Sequence, residues 1–178
     1  MVQIYTGDGK GKTTAAVGLA VRAVGAGKKV CFIQFMKCQT SSEVTVLEGL
    51  GVKVFRFGGK NFVDSKNLSK EDVAEARKGL ESANLICRGE ACLARGSVTT
   101  DPYDVVILDE ILVAVLFKLI SEDDLSKLIK SAPPEMELVL TGRGATPRMI
   151  ELADLVTEMR LVMHPYDKGV KARKGIEF

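Results

Sequence analysis

Short, almost wholly apolar runs alternate with stretches of helical periodicity along the whole chain, and that alternation leaves few folds open. "KVCFIQFM" (29–36), "YDVVILDE" (103–110) and "MELVLTGR" (136–143) each carry several apolar residues in a row. A strand with one wet face alternates apolar with polar, whereas a run of this kind is buried on both faces. Val2–Thr6, "VKVFRF" (52–57) and "DLVTEMRLV" (154–162) read as further strands. Between them lie helical patterns. Lys12–Val24 is mostly apolar and is followed by Gly25 and Gly27, as helix ends often are. A short helix is expected over Ser42–Leu50. Ser69 with Asp72 makes a variant capping box ahead of Val73, Ala76, Leu80 and Ala83 at helical spacing. Ser121 can cap "SEDDLSKLIK", which Pro133-Pro134 terminates, and "TPRMIELA" (146–153) is a short helix. Strands alternating with helices predict an α/β fold: a mainly parallel sheet of about six strands with helices on both faces. With 178 residues and neither a repeat nor a linker, one domain over 1–178 is expected.

Composition excludes several classes. Hydrophobic residues make up 46%, too many for a disordered chain. A net charge of +2 gives no argument for a nucleic-acid or membrane binder. The longest apolar run, Ile111–Phe117, is too short to cross a bilayer, and charged residues begin at Asp8, too early for a signal peptide. The expected location is the cytoplasm. Cys31, Cys38, Cys87 and Cys92 form no C-x-x-C pair and read as reduced, mostly buried small hydrophobes rather than a zinc site.

Ligands of open α/β sheets sit at the carboxyl ends of the strands. Three polar clusters fall there: "TGDGKGKTT" (6–14), Asp109-Glu110, and Thr141-Gly142-Arg143. The first lies between a strand and a helix, the context a phosphate-binding loop requires, and predicts a P-loop NTPase-like (RecA-type) fold. Gly7, Gly9 and Gly11 let backbone N–H groups converge on anionic oxygens, with Asp8 and Lys10 between them. Lys12 neutralises phosphate charge, Thr13 offers a hydroxyl to Mg²⁺ (or Mn²⁺), and Thr14 closes the loop. Lys12 is expected at the loop's end, outside the core. One glycine departs from G-x-x-x-x-G-K-[ST]: position 6 is Thr6, and the glycine comes one later, at Gly7.

In "VVILDE" the two acids follow a buried strand, where P-loop proteins hold their metal. Arg143 either clamps a polyphosphate or is an exposed loop arginine. His164, the single histidine, reads as structural. The basic tail "DKGVKARKG" (167–175) is a solvated face or an anion's neighbour. No serine, cysteine or histidine arrangement offers a covalent nucleophile, so the nucleophile arrives with a second substrate.

The segments "YTGDGKGKTTAAVGLAVRA", "FIQFMK", "YDVVILDE", "LVLTGR", "IELADLVTEMR" and "HPYDKGVKARKGIEF" resemble the P-loop ATP:corrinoid adenosyltransferases, the cob(I)alamin or cob(I)yrinic acid a,c-diamide adenosyltransferase family. The resemblance runs from Tyr5 to Phe178. It implies transfer of the 5′-deoxyadenosyl group of ATP to the cobalt(I) of a reduced corrinoid, with release of triphosphate, in adenosylcobalamin biosynthesis or salvage. It also implies that ATP lies reversed relative to other P-loop enzymes, so that the loop grips a leaving group. Carried over to this chain, Gly7 to Thr14 bind the triphosphate, and Thr13 with Glu110 holds the metal beside Asp109. "GGKNFVDSK" (58–66) falls where aromatic residues cover the corrin and displace its lower axial ligand. Phe62 is the one aromatic there, with Lys60 where a second is expected, and Cys38 stands where glycine commonly follows "QF-x-K". The resemblance further implies a homodimer and a flavoprotein reductant. A kinase or ATPase of the same fold, and a non-catalytic module binding ATP and corrinoid, are the competing readings.

Overall fold

A computed structural model describes residues 1–37, 41–59, 63–65, 67–90, 102–165 and 169–176. Lys60, Asn61, Phe62, Cys38 and Cys92 lie outside the described residues.

The elements run β1 (Val2–Thr6), α1 (Lys12–Gly25), β2 (Val30–Phe35), α2 (Ser42–Gly49), β3 (Lys53–Phe57), α3 (Lys70–Cys87), β4 (Val105–Asp109), α4 (Ile111–Leu116), α5 (Glu122–Ser131), β5 (Glu137–Thr141), α6 (Pro147–Glu151) and β6 (Leu155–Glu158). The six strands form one sheet in the order β3-β2-β4-β5-β1-β6, parallel at every junction. The α/β expectation holds, and burial explains it. Val105 and Ile107 of β4 pack with Ala16, Ala20 and Ala23 of α1 and Leu47 of α2 on one face. The intervening Val106 and Leu108 join Ala76, Ala83, Leu112 and Leu125 on the other. Successive strand side chains point to opposite faces, so a strand covered on both sides has no position for a polar residue until it leaves the core.

The capping readings hold as well. The Ser69 hydroxyl accepts from the Asp72 amide at 3.0 Å while the Asp72 carboxylate accepts from the Ser69 amide at 3.1 Å. Ser121 caps α5 in the same manner, its hydroxyl accepting from the Asp124 amide at 3.1 Å. Cys31 and Cys87 are buried and in no disulfide, and burial pushes the Cys87 thiol up to about 12.

Two expectations change. The final strand is four residues long, not nine, and all of them are exposed, because β6 is a sheet edge with β1 as its sole neighbour. The strand expected to run through Glu110 ends at Asp109, and the apolar run that follows is a helix, α4, although its valines and isoleucine favour strands. The chain turns sharply at Glu110, whose φ of 63° and ψ of 16° are left-handed, and tertiary packing then overrides local propensity. Glu110 therefore caps α4 and does not end β4.

Candidate active site

All three polar clusters arrive at the carboxyl edge of the sheet. Thr6 still belongs to β1: it pairs with Glu158 of β6, and its carbonyl accepts from the Met159 amide at 2.8 Å. The chain leaves the strand at Gly7, where φ is +97° and a Cβ would stand 2.5 Å from the Met159 carbonyl oxygen. The displaced glycine thus has a steric cause. Position 6 is ordinary strand that threonine fits, and position 7 passes the end of β6 too closely for any side chain. The Gly9 amide then donates to the Met159 carbonyl at 2.6 Å, fastening the loop to the strand edge.

Lys12 opens α1, and it is buried, only 8% exposed, contrary to the expectation that it stands clear of the core. Its ammonium donates to the carbonyls of Gly7 at 2.7 Å and Gly9 at 2.6 Å, so the loop curls around it. Burial is the main reason its pKa falls below the ordinary lysine value. The Arg143 charge acts in the same direction, and Glu110, Asp8 and Asp109 oppose both. Asp8, Lys10 and Thr14 are exposed on the loop's outer side. Lys10 donates to the Ile176 carbonyl at 3.0 Å, which brings the basic tail beside the loop.

Asp109 is the hub, and it is fully buried. One carboxylate oxygen accepts from the Thr13 hydroxyl and from the Thr141 hydroxyl, both at 2.8 Å. The other faces the Lys37 ammonium at 3.1 Å and the Gln34 amide nitrogen at 3.4 Å. Burial opposes the Lys37 charge, but Asp109, by charge and hydrogen bond, and then Glu43 and Glu110 outweigh it and hold that pKa above the ordinary lysine value. Thr141 reaches Asp109 because β5 lies between β1 and β4, and its hydroxyl also accepts from the Glu110 amide at 2.9 Å. Sequence reasoning placed Thr141 in a strand-end cluster without giving it a role, and it missed Gln34 and Lys37. The one available signal was a glutamine inside the apolar "FIQF".

Glu110 is half-buried. Burial, followed by the neighbouring Asp109 charge, raises its pKa, while Lys37, Lys12 and Arg143 only partly compensate. A carboxyl whose pKa is raised by folding destabilises the fold in its ionised form. That penalty is absent below the unfolded pKa and complete above the folded one. Glu110→Gln is therefore expected to raise the melting temperature at neutral pH while weakening divalent-cation binding. Thermal melts at pH 4 and pH 8 check this: the gain should appear at the higher pH, and a variant less stable than the parent at pH 8 would contradict it.

Thr13, Glu110 and Lys12 come together, and Arg143, exposed after Gly142, acts on Lys12 and Glu110 by charge. Phe62 lies outside the described residues. Among the described residues no three His, Cys, Asp or Glu side chains could hold a metal together. A cation here would lean on a hydroxyl, a carboxylate and its own ligand.

A family model described as ATP:corrinoid adenosyltransferase BtuR/CobO/CobP matches residues 1–178. The corrinoid adenosyltransferase of Escherichia coli strain K12 is 36% identical over 179 residues, spanning 100% of this chain and 85% of that protein. The corrinoid adenosyltransferase CobA of Salmonella typhimurium strain LT2 is 34% identical over 180 residues, spanning 100% of this chain and 85% of that one. Among solved structures, EssC (ATPases 2 and 3) from Geobacillus thermodenitrificans superposes with a TM-score of 0.51 at 13% identity. It shares the fold over 98% of this chain, which spans 34% of its length.

Proposed function

The chain belongs to the ATP:corrinoid adenosyltransferase family, and from that premise we propose that its loop grips the triphosphate of ATP as a leaving group. Its reaction is adenosyl transfer from ATP to a corrinoid, a step of cobalamin biosynthesis. The electron pair of cobalt(I) forms the bond to C5′, the C5′–O bond breaks, and its pair leaves on triphosphate. Attack at carbon needs no activated water, so Glu110 serves as a ligand and not as a base.

One arrangement carries this reading: Lys12, the loop amides, Thr13 and Glu110 lie at one strand edge with no histidine, serine or cysteine among them. Fixed donors of this kind stabilise charge that develops on a leaving group. The donor set also suits Mg²⁺ or Mn²⁺. Thr13 donates its hydrogen bond to Asp109 and keeps its lone pairs, and Glu110 is a carboxylate whose burial the charges of Lys37, Lys12 and Arg143 only partly offset. Asp109, its oxygens already engaged, acts through Thr13. The metal, when bound, neutralises triphosphate charge. Arg143 and Lys12 then orient the same oxygens.

The test is anaerobic incubation with ATP, Mg²⁺ and reduced cobalamin. Intact triphosphate in the phosphorus NMR spectrum should grow in step with the absorbance of a cobalt–carbon bond. Corrinoid-independent ADP release at a comparable rate would instead favour a kinase or ATPase.

The loop after β3 leaves the same edge of the sheet, next to β2. This supports the reading that Phe62 covers the corrin and displaces its lower ligand. Phe62→Ala is expected to slow adenosylation from cobalt(II) cobalamin more than from pre-reduced cobalt(I), by steady-state rates on both. Equal losses would reduce Phe62 to packing. A single catalytic domain, a cytoplasmic location and a flavoprotein electron donor belong to the same reading. So does a homodimer, for which the exposed Leu161, Val162 and Met163 beyond β6 offer apolar surface.

A further inference from the structure

Lys37 reaches Asp109 by a route the strand alone does not provide. In β2, Cys31, Ile33 and Phe35 face α3, while Phe32 faces α1. Continuing that alternation would turn residue 37 toward α3, away from Thr13. Met36 breaks it: its φ is +58°, left-handed in a residue with a full side chain. Such strain persists only where the surroundings impose it, and it gathers at functional sites. Here the cause is visible. Gly58, at the end of β3, lies so close that a Cβ would stand 2.6 Å from the Lys37 amide nitrogen and 2.8 Å from the Met36 carbonyl carbon. The glycine makes room for the turn, and the turn aims the ammonium at a carboxylate with no solvent exposure.

Asp109 then works as a two-ended part. One oxygen holds Thr13 and Thr141, and the other, among the described residues, meets Lys37 at 3.1 Å and the Gln34 amide nitrogen at a looser 3.4 Å. We propose that Lys37 is a positioning residue for adenosyl transfer, acting through Asp109 to fix the Thr13 hydroxyl for the magnesium–triphosphate complex. This rests on the metal reading of Thr13 given above. Lys37 sets the carboxylate's rotation, and that rotation sets where Thr13 presents its lone pairs. Gln34 cannot substitute, because its amide nitrogen is shared at 3.4 Å with Asp109 and with Glu43.

The test measures ATP binding by calorimetry with Mg²⁺ and with EDTA. The proteins are the wild type, Lys37→Met, Thr13→Val and the double variant. Lys37→Met is expected to weaken MgATP binding by roughly 10-fold, a normal coupling for groups in one hydrogen-bonded network. Metal-free ATP binding should change little. In the Thr13→Val background the additional loss should vanish, since the hydroxyl being positioned is gone. An equal loss with and without Mg²⁺, or the same loss in the Thr13→Val background, would overturn the proposal by making Lys37 a direct ligand or a packing residue. Should Lys37→Met not fold, Gly58→Ala displaces the 36–37 backbone and keeps every charge. It is expected to show the same Mg²⁺-selective loss, and MgATP binding like the wild type would refute the route. A wild type indifferent to Mg²⁺ would sink the metal reading itself. An intact metal effect without coupling would sink only Lys37.

Discussion

Lys12→Ala is expected to slow adenosyl transfer by about 100-fold or more at saturating ATP, the loss typical when one fixed donor to a developing oxyanion is removed. The ammonium is the one charge enclosed by the loop, and it bonds to the carbonyls of Gly7 and Gly9. It therefore organises the donors as well as being one of them. Its burial adds a second consequence. Alanine leaves those two carbonyls without their partner, at a cost of about 1–3 kcal/mol. In a domain of this size that lowers the melting temperature by about 2–4 °C per kcal/mol. Single-turnover rates and a thermal melt measure both effects. Unchanged turnover would remove the loop from the mechanism. A rate loss without any change in melting would show that the carbonyls find other donors.

Gly7→Ala is expected to be as damaging by a different route. The new methyl would meet the Met159 carbonyl oxygen at 2.5 Å and the Met159 nitrogen at 2.9 Å, both backbone atoms. Relief requires breaking the bonds from Met159 to Thr6 and from Gly9 to Met159. With the positive φ added, the cost is about 3 kcal/mol or more, and calorimetry should find ATP binding lost. The informative partner is Thr6→Gly/Gly7→Ala, which restores the usual glycine spacing. It should bind no better, because position 6 is paired strand and gains nothing from glycine. Recovery of binding in that double variant would mean that the loop follows its motif and not its neighbours.

What the chain discloses about itself divides by range of interaction. Burial on both faces makes β2, β4 and β5 legible, since apart from Gln34 their polar residues stand at the strand ends. Ser69 and Ser121 are legible because capping is local. Gly7, Thr13 and Glu110 are legible as a pattern between a strand and a helix. Three features were hidden: one is set by the loop's own closure, and two by neighbours far along the chain. Burial of Lys12 depends on how the loop closes on itself. Met159, which dictates the glycine at 7, lies 152 positions after it. Lys37, Thr141 and Asp109 meet only because the strand order is β2-β4-β5, and order is not written in any one segment.

The order of the strands also sets a timetable for synthesis. β1 precedes the other five strands, yet its two neighbours, β5 and β6, begin at residues 137 and 155. A nascent chain therefore holds its first strand and the glycine loop without partners while β2, β3 and β4 can already pair. Long-range parallel pairing is slow and leaves apolar edges open meanwhile. The loop's fastening to Met159 can form only after β6 has emerged, so a truncated product ending before residue 155 lacks the strand edge that holds the glycine loop.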